Sequence, residues 1–147
     1  MTSLTEQRRA TGQRAEAAAT RDLQAEGFTV TNLNDLVGNC PFADLIARKD
    51  GTRMLIQVKG TETVDGKFGT PPARVRSLEA ISTQLDCKAI YAFVHLVEGD
   101  LVIRYATASA VAELADEAEA AYPGINRYHV GIGQFDVAAD RITEILE

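Results

Sequence analysis

Residues 5–26 carry a helical rhythm. Ala15, Ala19 and Leu23 fall on one i, i+4 stripe among Ala, Gln, Glu and Arg, which predicts a helix with that stripe turned toward a core. Gly27 stands where a C′ glycine ends such a helix. The pattern then changes to β. Residues 28–33 are β-branched at Thr29, Val30 and Thr31, and residues 42–47 and 54–59 predict two more strands. The link between those two is centred on Asp50-Gly51, a hairpin signal. Residues 60–70 are polar and glycine-bearing and predict an exposed loop. Pro71-Pro72 opens a helix on which Val75, Leu78, Ile81 and Leu85 recur at helical spacing. Residues 89–97 read as an apolar strand that turns at Glu98-Gly99-Asp100 into a partner at 101–106. A helix over 109–121, a strand over 128–132 and a helix over 135–146 complete the pattern. The order α-β-β-β-α-β-β-α-β-α predicts an α/β sandwich about a mixed sheet, since the first hairpin must be antiparallel.

A chain of 147 residues predicts one domain, residues 1–147, large enough to fold without a disulfide or metal staple. No apolar run approaches the ~20 residues of a membrane span. Residues 1–14 are polar and lack the apolar stretch of a secretory signal. Cys40 and Cys87 lie far apart with no ligand-spaced partner, so two buried free thiols in a reducing cytoplasm are expected. The net charge of −6 argues at first against nucleic acid, but its distribution changes that. Residues 1–76 carry 11 Lys and Arg against 9 Asp and Glu, whereas residues 77–147 carry 4 against 12. One face can then meet a polyanion while the whole chain stays acidic.

The most informative stretch is Pro41-Phe42-Ala43-Asp44-Leu45-Ile46-Ala47, the Asp-Gly turn, and Leu55-Ile56-Gln57-Val58-Lys59. A turn centred on Asp50-Gly51 sets Asp44 opposite Gln57 and Phe42 opposite Lys59. Gln57 and Lys59, two apart on one strand, share a face. Three polar groups thus converge on a hairpin that is otherwise apolar, where an unpaired polar group is costly. A carboxylate, an amide oxygen and a backbone carbonyl form a hard oxygen site suited to Mg²⁺. A purely structural arrangement fits the same residues: an Asp44–Lys59 ion pair with Gln57 as hydrogen-bond partner.

These residues resemble the PD-(D/E)xK, or restriction-endonuclease-like, nuclease superfamily over about residues 12–106. The segment Gly12-Gln13-Arg14-Ala15-Glu16, followed by Gly27-Phe28-Thr29-Val30, is most similar to archaeal Holliday-junction resolvases and small Mrr-like relatives. The resemblance implies a restriction-endonuclease-like sandwich with core order αβββαβ and a C-terminal β-α-β-α extension. It implies metal-dependent cleavage of phosphodiester bonds in nucleic acid, DNA before RNA. Asp44 and Lys59 match the motif aspartate and lysine, and Glu16 the acidic residue on the first helix. Mg²⁺ or Mn²⁺ is then expected on Asp44, Gln57 and the Val58 carbonyl, with Glu16 holding a second metal or a water. Lys59 would orient the attacking water or stabilise charge on the phosphate. Two departures stand out: Pro41 lies early, and Gln57 replaces an acidic residue, as in Mrr-like members. With Glu16 and Asp44 as the only nearby carboxylates, about −2 of formal charge suits one metal better than two.

Arg8, Arg9, Arg14, Lys67, Arg74 and Arg76 are the expected phosphate contacts. A homodimer suits duplex cleavage, although nothing in the sequence specifies an interface. His95 and His129 read as structural, Gly131-Ile132-Gly133 as a turn, and Glu113, Asp116, Glu117 and Glu119 as a solvated helix face. Two other functions fit this composition. One is a nuclease-fold nucleic-acid-binding protein without turnover; the other is a regulatory or immunity-type protein using its acidic half as a contact surface.

Overall fold

A capping box starts the first helix. Glu6 N–H donates to Ser3 Oγ at 3.1 Å, and Ser3 N–H donates to Glu6 Oε2 at 3.3 Å. Helix α1 then runs Leu4–Ala25, and Gly27 follows at φ +89°, a left-handed position that glycine takes without strain. The structure, a computed structural model, describes residues 3–38, 40–97 and 99–146. The predicted stripe Ala15, Ala19 and Leu23 is buried, together with Ala18.

Strands β1 (Thr29–Asn32), β2 (Leu45–Lys49) and β3 (Thr52–Thr61) form an antiparallel meander, with a one-turn helix α2 (Leu33–Leu36) between the first two. Asp50 at φ 50° and Gly51 at φ 81° make the two-residue turn, closed by the Lys49↔Thr52 pair. Helix α3 (Pro72–Gln84) carries the chain to β5 (Lys88–Val97), which pairs parallel with β3. Strand β6 (Asp100–Thr107) returns antiparallel, giving a five-stranded mixed sheet in the order β1-β2-β3-β5-β6. Glu98 of the predicted turn lies outside the described residues. One face of the sheet packs Leu45, Ile56, Ile90 and Val94 against α1. The other packs Leu55, Tyr91 and Phe93 against α3 and α4 (Ala108–Ala121).

Several sequence expectations are corrected. Residues 60–70 are not all loop. Strand β3 continues to Thr61, and β4 (Lys67–Thr70) pairs with β7 (Tyr128–Gly131) in a separate two-stranded sheet. Its alternation, with Lys67 exposed and Phe68 and Thr70 buried, is too short to stand out beside two glycines. Within the last predicted helix, 135–146, only Ala139–Ile145 is helical, as a 3₁₀ segment, and a further 3₁₀ turn, Ile132–Gln134, precedes it. The chain between them is extended, because Tyr105 N–H takes the Val137 carbonyl at 2.8 Å. Leu85 is exposed at the C-cap of α3 rather than buried. Cys40 and Cys87 are free but only half-buried. His95 is buried, with Nε2 2.7 Å from the Thr63 carbonyl oxygen, whereas His129 is exposed. No helix among the described residues is long and apolar enough to cross a membrane.

Helix α1 approaches the sheet tightly at Gly60. A Cβ added there would stand 2.6 Å from Ala15 Cβ and 3.4 Å from the Thr11 carbonyl oxygen. Gly60→Ala is therefore expected to destabilise the fold by about 1–3 kcal/mol, the usual scale of overpacking. Urea denaturation measures this, and Ala15→Gly in the same chain should recover part of the loss. An unchanged midpoint for Gly60→Ala would show that the helix seats elsewhere.

Candidate active site

The β2–β3 ladder ends at Leu45↔Ile56, and Asp44 begins the irregular chain beyond it. Its backbone is fixed on both sides. Asp44 N–H donates to the Ile56 carbonyl at 2.9 Å, and its own carbonyl accepts Leu33 N–H at 2.9 Å. The turn sets the expected register, so Gln57 faces Asp44 and donates from Nε2 to Asp44 Oδ2 at 2.9 Å. Val58 N–H, which has no strand to meet past the end of β2, donates to the same oxygen at 2.8 Å. Phe42, however, is not opposite Lys59. Residues 40–44 leave the sheet to reach α2, and Phe42 stands 52% exposed.

Two asparagines that the sequence reading missed join this carboxylate to Glu16. Asn34 Nδ2 donates to Asp44 Oδ1 at 3.1 Å and to Glu16 Oε1 at 3.2 Å, using both hydrogens of one amide. Asn32 Nδ2 adds a third bond, to Glu16 Oε1 at 3.1 Å. Asn34 is held in turn, because its N–H donates to Asn32 Oδ1 and its Oδ1 accepts Cys40 N–H, both at 2.8 Å. The available signal was Asn32 as the N-cap of α2, two residues before Asn34. Burial pushes the Glu16 carboxyl above its ordinary value; the Asn34 hydrogen bond opposes that shift, and the Asp44 charge adds to it.

Lys59 lies two residues beyond Gln57 on the same face, half-buried. No carboxylate reaches it within 4.0 Å among the described residues, so the purely structural Asp44–Lys59 ion pair does not form. Gln57 does serve as hydrogen-bond partner of Asp44. Burial lowers the Lys59 ammonium below its ordinary value; the charge of Arg74 lowers it further, the Asp44 charge opposes, and Arg127 adds a smaller push. Arg127 is a cation the sequence reading missed. Its side chain lies over Gly69 of β4, where an added Cβ would stand 3.1 Å from Arg127 Cδ.

The donors present suit a hard cation. Gln57 spends its nitrogen on Asp44, and among the described residues no side chain donates to its Oε1; the Val58 carbonyl lies on the same edge of β3 as its N–H, past the end of β2. With the Asp44 carboxylate these are oxygen ligands of the kind Mg²⁺ and Mn²⁺ take. Among the described residues no three His, Cys, Asp or Glu come together as a metal centre, so a cation here would lean on the amide and carbonyl oxygens beside Asp44.

Asp44 and Glu16 line a cleft of about 1040 Å³, whose walls also carry Arg8 and Arg9 from α1 and Arg74 from α3. The other three expected phosphate contacts do not line it. Arg14 pairs with Glu62, and Lys67 lies 3.8 Å from Asp65. Arg76 lies 3.3 Å from Asp116 and 3.0 Å from Glu119, so the acidic face of α4 is in part a partner for Arg76 rather than wholly solvated.

Comparison with protein-family models and with curated proteins finds no match. Among solved structures the chain is similar to Hjc, a Holliday junction resolvase from the archaeal hyperthermophile Archaeoglobus fulgidus. The TM-score is 0.59 at 15% identity, over 84% of this chain and 86% of that one. At that identity the likeness concerns the fold. The five-stranded mixed sheet with its flanking helices and this likeness together give the chain the restriction-endonuclease-like fold seen in Hjc.

Proposed function

We propose that the chain is a metal-dependent nuclease that hydrolyses phosphodiester bonds of DNA. The observation that supports this best is Asp44. A carboxylate at the open end of a hairpin lines a cleft and is held by Gln57 and Val58 N–H, while on the same face Lys59 has no carboxylate within 4.0 Å among the described residues. Asp44, Gln57 and the Val58 carbonyl would hold Mg²⁺ or Mn²⁺, with Glu16 behind Asn34 as a further carboxylate. Such a cation, when bound, polarises a phosphate and makes water a better nucleophile. Lys59 places positive charge where the phosphate oxygens become more negative during attack. Arg8, Arg9 and Arg74 hold the flanking backbone. Asn34 keeps the two carboxylates apart and oriented.

A second reading, a DNA-binding protein without turnover, draws on one observation: both Asp44 oxygens already accept protein donors. Nicking of supercoiled plasmid by the pure chain separates the two. Nicking with millimolar Mg²⁺ or Mn²⁺ and none in EDTA supports the nuclease. DNA binding without nicking supports the second reading.

Salt dependence tests the path of the backbone. Binding should weaken as salt rises, and Arg8→Ala, Arg9→Ala or Arg74→Ala should each lower the slope of log K against log salt by about 1. Arg76→Ala should leave it unchanged, because Asp116 and Glu119 already neutralise that guanidinium. Equal effects of Arg74→Ala and Arg76→Ala would extend the DNA path along α3 beyond the cleft.

A further inference from the structure

Phe42 belongs to neither hydrophobic core. Because the chain leaves the sheet before Leu45, its ring stands in solvent at the edge of the candidate active site. There it lines a second pocket, of about 230 Å³, with Pro41, Gln57, Ala73, Arg74 and Ser77. Three of those walls are shared with the first site. Gln57 donates to Asp44 Oδ2 at 2.9 Å, and Pro41 and Arg74 also line the large cleft.

The chemistry of this pocket is specific. It offers an aromatic face and a prolyl ring for stacking, and a guanidinium and a hydroxyl for the edge of a heterocycle. Proteins use this combination to hold unstacked bases. At about 230 Å³ the pocket is large enough to take one nucleobase. Inside a continuous duplex both faces of a base are covered by its neighbours. Only an unpaired or extruded base can present a face to Phe42. Arg74, between the two cavities, stands where the phosphate joining a base in one to a backbone in the other must pass.

We propose that this pocket receives a single unpaired nucleobase beside the phosphate at Asp44, so that the chain selects DNA carrying an unpaired nucleotide over continuous duplex. The inference rests on the nuclease reading for the position of that phosphate.

The test is fluorescence anisotropy in EDTA, where nothing is cut, using one labelled duplex and the same duplex with a single bulged nucleotide. The bulged DNA should bind about tenfold tighter, the order expected of one base stacked on an aromatic ring. Phe42→Ala should bring the bulged DNA down to the affinity of the duplex, and Phe42→Tyr should keep the preference. Equal binding of both DNAs by the wild type overturns the pocket and leaves the nuclease reading standing. Binding of neither DNA also overturns the pocket, and failure of the nuclease reading shows separately, as absent plasmid nicking with Mg²⁺ or Mn²⁺. If Phe42→Ala instead halves the mass found by sedimentation equilibrium, the ring covers a second copy of the chain and the proposal fails.

Discussion

Asp44→Asn is expected to reduce plasmid cleavage by at least about 10³-fold, since it removes the one carboxylate among the Asp44, Gln57 and Val58 oxygens; Glu16 and Asp35, which also line the cleft, do not replace it. The same change disturbs the fold, because Asp44 organises the structure around it. Its two oxygens accept from Asn34, Gln57 and Val58. An asparagine has one acceptor oxygen, so its amide must face at least one of those donors. The expected cost is about 1–3 kcal/mol, the scale of an unmatched polar group. Asp44→Ala leaves Val58 N–H without an acceptor and costs at least as much. Cleavage is therefore measured well below the melting temperature, with circular dichroism showing that the variant is folded. Wild-type cleavage by folded Asp44→Asn would remove the carboxylate from the chemistry.

Lys59→Met should make the chain more stable and nearly inactive. Burial first, with the charges of Arg74 and Arg127 adding, lowers the Lys59 pKa from its ordinary value of 10.5. Between the folded value and 10.5 the unfolded chain binds more protons, so stability rises with pH through that window. Below the window the charged amine is a constant penalty. Methionine keeps the apolar stem and removes the charge. At pH 7 the melting temperature should rise by about 2–4 °C, the shift that about 1 kcal/mol gives a chain of this size. Cleavage should fall about 10²–10³-fold, as when a preorganised electrostatic group is removed. The rise of stability through the alkaline window should also be smaller in the variant. A lower melting temperature, or cleavage at the wild-type rate, would assign Lys59 a structural role.

What the sequence revealed was local. The Asp50-Gly51 turn sets the hairpin register, and register alone brings Asp44 to Gln57 and puts Lys59 on their face. The Ala15-Ala19-Leu23 stripe places Glu16 near the same end of the sheet, because α1 must lie flat on it. Other features depend on partners distant in the chain. Strand β4 is four residues long and is held by β7, far away in sequence. The Val137–Tyr105 contact draws residues 135–138 out of any helix. Phe42 looked like a strand residue by composition, and only the tie between Asp44 and Leu33 shows that the chain has already turned away. Asn32 and Asn34 carry no charge and match no motif, yet they join the two carboxylates. Charge counting cannot tell Arg74 from Arg76, two residues apart on α3; only the packing of α4 gives Arg76 its carboxylates and leaves Arg74 for the cleft.

The central claim is that the oxygens of Asp44, Gln57 and Val58 hold one divalent cation on which cleavage depends. The most direct measurement is a calorimetric titration of Mn²⁺ into wild type and Asp44→Asn, with plasmid nicking assayed in the same samples. Mn²⁺ is the better probe because it binds a given oxygen and nitrogen site more readily than Mg²⁺ and accepts amide ligands. The account predicts one Mn²⁺ per wild-type chain, nicking that rises with occupancy, and loss of both in Asp44→Asn. No bound Mn²⁺ and no nicking by wild type up to ~10 mM, far above ordinary site affinities, would contradict it.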